Sequence, residues 1–320
     1  MDSLSDDKNN PSASNIRPNR FSAVSHFLIG IGVFVMCAGI LSFVGALISG
    51  ISMADLQDGG DIFSFFEGKP IALQLFVFFS SSLPFILAAL LIPILFKASP
   101  KLYLQIRKPE NLKWFLLSIV FIIVAIPLLG PLLELNKLID FKAISPSLFD
   151  WLQSQEASNN KAYEAMIGEK TTLNILSSIL FMALLPAIAE ELFFRGFLMN
   201  VFNGIFRNMH VAILLSALAF SIIHMQFLKA IPMFFLAVIF GYAVYWTGSI
   251  FTSIIAHFLN NTLAVVQLYF FTDGNYTEAL DQGPSLPLSG ALLLSLLVIA
   301  MFIYINKNTD INTQNFYVQS

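Results

Sequence analysis

Long apolar runs with almost no charge restrict what this chain can fold into more than any other feature. The runs lie at about 26–51, 71–96, 112–130, 173–202, 211–228, 230–247, 249–271 and 286–305. About 20 apolar helical residues cross the hydrocarbon core of a bilayer, where only helices and closed barrels satisfy all backbone hydrogen bonds. The sequence therefore predicts an all-α, polytopic membrane helix bundle with about eight transmembrane helices.

Composition supports this class and excludes others. Hydrophobic residues make up 57% of the chain and charged residues only 12%, about half of the charge that soluble domains carry. The net charge of −3 argues against a nucleic-acid partner. The single cysteine, Cys37, excludes an intrachain disulfide and a zinc site built on cysteines. The lipid bilayer is the partner that the composition implies.

The polar segments divide the chain into one membrane domain and two tails. Residues 1–20 are rich in Ser, Asn, Asp and Pro and predict a disordered tail. A single transmembrane domain is expected over 21–305, followed by a polar C-terminal tail at 306–320. Between the runs, 52–70 predicts an acidic loop, and 131–172 predicts a long loop with possible surface helices.

The distribution of basic residues predicts the orientation. The loop before the third run holds the densest basic cluster, which consists of Lys97, Lys101, Arg107, Lys108 and Lys113. With the N-terminus inside, this cluster is cytoplasmic, and four of the six basic residues on the other side fall in the long segment 131–172, which weakens their influence. We therefore expect an integral, multi-pass membrane protein with both termini cytoplasmic.

The fourth run contains three ionisable residues, Glu190, Glu191 and Arg195. Charges at bilayer depth cost several kcal/mol unless they are paired or wetted, so they indicate function by default. Glu191 and Arg195 are four residues apart and predict a structural ion pair on one helix face. Glu190 points about 100° away and has no basic residue at i+3 or i+4, so it is left free. The alternative is a cluster that snorkels to the lipid surface.

Two histidines deep in later runs add to this pattern. Phe220 and His224 are four apart in the fifth run, and His257 and Asn261 are four apart in the seventh. A single membrane histidine is typical of a helix–helix hydrogen bond. Two of only four histidines, together with an unpaired glutamate, favour a common site instead. At about 1.5 Å rise per residue, their depths can converge within several ångströms.

These side chains suit peptide hydrolysis. A carboxylate in a low-dielectric cleft can accept a proton from water, and a histidine can hold that water. A second histidine and an asparagine amide can donate to a tetrahedral oxyanion, which is commonly worth about 3–4 kcal/mol per donor. The same Glu190, His224 and His257 could instead bind zinc.

The ordered motifs resemble a known family. Glu190-Glu191-x-x-x-Arg195, Phe220-x-x-x-His224 and His257-x-x-x-Asn261, within about 176–265, are similar to the signature of the CPBP intramembrane protease family. That family includes the type II CAAX prenyl endopeptidases and the bacteriocin-processing or self-immunity proteins. The resemblance implies an eight-helix bundle with a cavity open to the cytoplasm and a protease core at about 173–272.

The resemblance also implies roles. Glu190 is the expected general base, His224 assists it, and His257 and Asn261 are the expected oxyanion donors. The implied activity is that of an intramembrane endopeptidase, whose partner is a membrane peptide or protein; a prenylated CAAX-type substrate is one option. We expect no cofactor, because asparagine is a poor zinc ligand and a good donor; zinc bound by Glu190, His224 and His257 is the alternative.

Two rival functions remain open from the residues. One is a proton- or ion-coupled transporter that uses Glu190 and the histidines as a relay. The other is a catalytically idle membrane scaffold or immunity protein that keeps the fold. Other protease classes are disfavoured, since the chain lacks an H-E-x-x-H motif and a G-x-S-x-G motif.

Overall fold

The computed structural model describes residues 20–51, 65–272 and 286–309. These parts are helical and contain no strand. Seven of their helices are long and apolar enough to cross a membrane, and an eighth apolar helix is shorter, so the predicted polytopic helical bundle is confirmed. The helices are α1 (Arg20–Ile48), α2 (Pro70–Leu95), α3 (Leu112–Ile144), α4 (Pro146–Ile167), α5 (Thr172–Phe206), α6 (Met209–Ile223), α7 (Phe227–Thr247), α8 (Ile250–Phe270) and α9 (Leu288–Asn308).

Local sequence sets several of the helix ends. The Asn208 side chain accepts hydrogen bonds from the backbone N–H groups of His210 and Val211 and so caps the start of α6. Gly168 and Gly248 follow α4 and α7 with φ of 62° and 61°, a left-handed conformation that glycine adopts without a Cβ penalty.

The predicted long loop at 131–172 is wrong in extent, because most of this segment is helical. A 3-10 turn at Ile126–Leu128 accommodates Pro127, and α3 continues beyond it to Lys137; after a turn at 138–140, its last helical turn covers Phe141–Ile144. The Ser145 hydroxyl then accepts from the backbone N–H of Leu148 and caps the 22-residue α4. The polar composition of α4 hid this helix from a search for apolar runs.

Other predicted boundaries shift or lie outside the described residues. The first run begins at Arg20 as a helix, earlier than expected, and the fifth ends at Ile223 rather than near 228. The predicted tail 1–20, except Arg20, and the acidic loop over 52–64 lie outside the described residues. The predicted C-terminal tail lies outside them from 310 onward; its first residues extend α9.

One face of the bundle carries the start of α1 and the end of α9, and we call it the terminal face. His26 of α1 and Asn200 of α5 both meet Tyr103, the first through the phenol oxygen at 3.1 Å and the second by donating to the carbonyl at 2.7 Å. At the ends of α7 and α9, Trp246 donates to the side chain of Asn306 at 3.2 Å. These contacts place the start of α1, the ends of α5, α7 and α9, and the α2–α3 connection on the terminal face.

The opposite side carries the end of α4, and we call it the α4 face. Gln74 near the start of α2 donates to the carbonyl of Met166 at 2.7 Å. Ser178 near the start of α5 and Tyr269 near the end of α8 share a hydrogen bond of 3.0 Å. Because α6 runs away from the terminal face, its last residue also lies toward the α4 face.

An aromatic core surrounds α5 on the terminal-face side of Glu190 and Glu191. Phe193, Phe194 and Phe197 are fully buried and pack with Phe85 of α2. The segment Leu192–Leu198 is a π-helical stretch, a local widening of the helix that is frequent at functional sites. The core therefore holds α5 in the middle of the bundle and fixes the positions of the charged residues on it.

Candidate active site

Three helices bring one carboxylate and two imidazoles together. The Glu190 Oε2 atom of α5 lies 3.6 Å from Nε2 of His224, at the end of α6, and 3.7 Å from Nε2 of His257 on α8. His257 is buried, while Glu190 and His224 keep part of their side-chain surface. The structure thus places these sequence-predicted site residues around one point, although their chemical roles stay predictions.

The other nitrogen of each ring is occupied. His224 Nδ1 donates to the backbone carbonyl of Phe220 at 2.7 Å, since a carbonyl can only accept. His257 Nδ1 lies 2.9 Å from Oε1 of Glu191, and we assign the proton to the imidazole because the carboxylate is paired with a cation. Both rings therefore turn Nε2 toward Glu190, where it accepts a hydrogen bond when neutral and donates one when protonated.

Glu191 and Arg195 form a buried ion pair. Arg195 Nη1 donates to Glu191 Oε1 at 2.7 Å, and the two side chains are 1% and 0% exposed. Arg195 Nη2 donates to the carbonyl of Ala237 in α7 at 2.9 Å. Its guanidinium also lies 4.9 Å from the ring centre of Phe220 and 5.5 Å from that of Phe240. Arg195 thus joins α5 to α6 and α7 inside the bundle, whereas snorkelling side chains reach the lipid surface.

Aromatic rings fix the faces of both imidazoles. Phe240 of α7 stacks on His257 with ring centres 5.1 Å apart. Phe220 lies 4.2 Å from the His224 ring and 6.1 Å from the His257 ring. The Phe220–His224 spacing marked Phe220 in the sequence, but Phe240 was missed. It is one of 33 phenylalanines in the chain, and nothing local distinguishes it.

Asn261 lies one helical turn after His257 and on the same face of α8. Its Oδ1 accepts a hydrogen bond from the side chain of Asn260 at 3.3 Å, which leaves the Asn261 amide N–H groups to donate elsewhere. The residue is half-buried. The oxyanion role of Asn261 stays a prediction.

Zinc bound by Glu190, His224 and His257 is the alternative that the sequence leaves open. A zinc ion needs its ligand atoms about 2 Å from one point. Among the described residues, no group of three or more His, Cys, Asp and Glu side chains is arranged to hold a metal ion. That the site works without a metal stays a prediction, and no step below is routed through zinc.

Comparison with known protein families gives a match that includes the site. Residues 172–263 match the family model described as type II CAAX prenyl endopeptidase Rce1-like. The chain is 28% identical to the membrane-embedded CAAX protease MroQ of Staphylococcus aureus (strain USA300) over 213 residues, which are 63% of this chain and 78% of MroQ.

A second relative matches over a shorter stretch. The chain is 29% identical to the uncharacterized protein YpbD of Bacillus subtilis (strain 168) over 96 residues, 29% of this chain and 46% of YpbD. The chain thus spans about half the length of YpbD. No solved structure is a significant match.

The matched segment contains every residue of the three motifs, from Glu190 to Asn261. The resemblance to the CPBP proteases, which the motifs predicted, is therefore confirmed, and over residues 172–263 this chain is similar to the Rce1-like type II CAAX prenyl endopeptidases.

Proposed function

We propose that this protein is an intramembrane endopeptidase that hydrolyses a peptide bond of a membrane-associated substrate with a water molecule activated by Glu190. The observation that carries the proposal is the position of the Glu190 carboxylate, 3.6 and 3.7 Å from the Nε2 atoms of two histidines. These separations exceed a direct hydrogen bond, and polar contacts of this length are commonly bridged by water.

The first step is the attack of water on the scissile carbonyl. Glu190 takes a proton from the water as the water oxygen bonds to the carbonyl carbon. The electron pair of the C=O bond moves to the carbonyl oxygen, which becomes an oxyanion. His224 orients the water, because its Nδ1 proton is fixed on the Phe220 carbonyl and its neutral Nε2 can accept the second water proton as a hydrogen bond.

The oxyanion is stabilised by Asn261 and His257. Since His257 Nδ1 already donates to Glu191, the ring can donate from Nε2 only as an imidazolium. Glu191 supports this cation, and the two carboxylates of Glu190 and Glu191 then balance Arg195 and the His257 imidazolium. Proton transfer to Glu190 and formation of the oxyanion leave the total charge unchanged, so no net charge is created in the low-dielectric site.

The second step releases the products. The proton on Glu190 passes to the amide nitrogen, the C–N bond breaks, and its electron pair stays with the nitrogen. An amine and a carboxylic acid leave, and the Glu190 carboxylate is regenerated for the next water molecule.

The packing of α5 between Glu190 and the terminal face favours hydrolysis over transport. A proton or ion relay needs polar groups or water through the whole bundle. On α5, the residues that follow Glu190 and Glu191 toward the terminal face include the fully buried Phe193, Phe194 and Phe197. These rings interrupt a polar path along α5 toward the terminal face. The polar site is therefore suited to a reaction within the bundle and not to transport across it.

One reconstitution experiment separates the candidate functions. Purified protein in liposomes is given membrane peptides, including prenylated CAAX-type peptides because the relative MroQ is named a CAAX protease, and products are read by mass spectrometry. Proton uptake is followed with a pH-sensitive dye. Cleavage that Glu190→Gln abolishes supports the proposal. Proton flux without cleavage would support a transporter, and neither activity would support an idle scaffold.

Both termini are proposed to be cytoplasmic. The basic cluster of the α2–α3 connection lies toward the terminal face, and its members Lys97, Lys101 and Lys108 are exposed there. His224 lies toward the opposite, α4 face, so an opening beside it would face away from the cytoplasm. That differs from the cytoplasmic cavity that the family resemblance implies, and a topology measurement decides between the two.

A further inference from the structure

Helix α6 ends too early to reach the α4 face. Met209–Ile223 has 15 residues, which extend about 22 Å, whereas the hydrocarbon core is about 30 Å thick. Its neighbour α5 has 35 residues and α8 has 21. The bundle is therefore open at the end of α6, directly beside His224 and Glu190.

Helix α4 lies across this opening. Its residue Glu156 forms an ion pair with Lys229, in the connection between α6 and α7, at 2.5 Å, and both side chains are mostly buried. Tyr163, two turns further along the same face of α4, interacts with the side chain of Gln226. Two polar contacts thus join α4 to the connection that follows His224.

Tyr163 also lies near the reacting carboxylate. The pKa of the Tyr163 phenol is raised, first by burial and also by the negative charges of Glu190 and Glu156, against the opposing effects of Gln226 and Lys229. Tyr163 therefore stays protonated near Glu190. No sequence motif includes it.

The α6–α7 connection, which α4 contacts, is also held by α3. Asn136 of α3 donates to the carbonyls of Phe227 and Leu228 at 3.2 and 2.9 Å, and it accepts from the backbone N–H of Ile231 at 2.8 Å. The α6–α7 connection is thus fixed to α3 independently of α4. Loss of the Glu156 and Tyr163 contacts would leave this connection in place.

The end of α4 is anchored in a different place. The carbonyls of Met166 and Ile167 accept hydrogen bonds from Gln74 and Tyr269, and Gly168 then turns the chain with φ of 62°. The outer face of α4 is polar and exposed, with Gln153, Ser154, Ser158, Lys161 and Glu164. On this outer side, α4 therefore has no apolar interface that would oppose its movement.

We propose that α4 is a gate over Glu190, latched to the α6–α7 connection by the Glu156–Lys229 ion pair and assisted by the contact between Tyr163 and Gln226. Substrate reaches Glu190 when the latch opens. The gate rests on the proposed function, because the molecule that it admits is the protease substrate. Its opening can nevertheless be measured without proteolysis.

The test measures access to position 190 with a water-soluble thiol reagent. The background carries Cys37→Ala and Glu190→Cys, so that the only thiol lies at the site. Glu156→Gln or Lys229→Gln is added to break the latch. The matched control is Glu134→Gln, which breaks the exposed ion pair between Glu134 and Lys137 on α3. Melting temperatures confirm that each variant is folded.

We expect the latch variants to label at least about tenfold faster than the background, as follows when the open fraction rises tenfold. The control should label at the background rate. The charge-reversed pair Glu156→Lys with Lys229→Glu should return labelling toward the slow rate, which a purely structural loss of packing would not do. Equal labelling rates in background, latch and control proteins would overturn the gate, whether or not the protein cleaves peptides.

If either single latch variant fails to fold, Tyr163→Phe breaks the second latch contact with little change in volume. It should also speed labelling. Slow labelling in every folded latch variant would contradict the proposal, whereas fast labelling in a protein without protease activity would keep the gate and remove only the proposed function.

Discussion

Replacing Arg195 with methionine tests whether the guanidinium is structural. Arg195 is 1% exposed, and it donates to Glu191 and to the Ala237 carbonyl. Methionine fills most of the same volume but removes both contacts and the charge. The change strands the Glu191 carboxylate, with His257 as its remaining partner. We therefore expect a large loss of stability, with activity falling as a consequence.

The magnitude follows from these contacts. Removing one partner of a buried ion pair costs about 3–5 kcal/mol, and the remaining His257 contact favours the lower end of that range. The lost hydrogen bond to the Ala237 carbonyl adds about 1 kcal/mol, for a total of about 4 kcal/mol. At an unfolding entropy of about 2.1 cal/mol/K per residue and 320 residues, Tm falls by about 6 °C.

The assay is thermal unfolding of purified protein in one detergent. The matched control is Lys137→Met, which breaks an ion pair of the same 2.7 Å length whose side chains are 53% and 70% exposed; it should change stability by less than about 1 kcal/mol. The double variant Glu191→Gln with Arg195→Met should be more stable than Arg195→Met alone, because no charge is stranded.

Either of two results would contradict the structural role of Arg195. An Arg195→Met protein that melts like the wild type but has lost proteolysis would place the guanidinium in the chemistry instead of the scaffold. A double variant that loses the full sum of the two single losses would show that Glu191 and Arg195 are not coupled.

Three further predictions address the oxyanion donors, the metal and the orientation. Asn261→Ala should lower kcat roughly a hundredfold or more with little change in KM, as the loss of one oxyanion donor does; an unchanged kcat in initial-rate measurements would remove Asn261 from the mechanism. Dialysis against EDTA should leave activity intact, and elemental analysis should find much less than one metal per chain; activity lost on chelation and restored by zinc alone would contradict this. A cysteine at Lys161 of α4 should react with an impermeant reagent only from outside the cell, while tags at both termini should react only after permeabilisation; the reverse pattern would place the opening beside His224 on the cytoplasmic side.

The charged cluster of α5 could be anticipated from spacing. Residues four apart on a helix are neighbours, which placed Glu191 beside Arg195 and turned Glu190 away from both. The proximity of Glu190 to His224 and His257 could be predicted because the three residues lie at similar depths along their helices. What spacing could not provide is the contact between Glu191 and His257, since it depends on how α5 packs on α8.

Helix α4 shows the other limit. It carries too many polar residues to stand out among apolar runs, so the sequence predicts only a long loop with possible surface helices there. Glu156 meets Lys229, and Tyr163 meets Gln226, across more than 60 positions of sequence. Such partners are set by tertiary packing, and no local periodicity records them.

The central claim is that Glu190 is the base that activates water, and its amide replacement tests this most directly. Glutamine keeps the shape of glutamate but cannot take the proton from water. Purified Glu190→Gln and the matched control Glu134→Gln, an exposed change on α3, are compared for turnover of a peptide that the wild type cleaves. We expect both variants to be folded, the control to cleave like the wild type, and Glu190→Gln to show no cleavage above background. Turnover near the wild-type rate in folded Glu190→Gln would contradict the account.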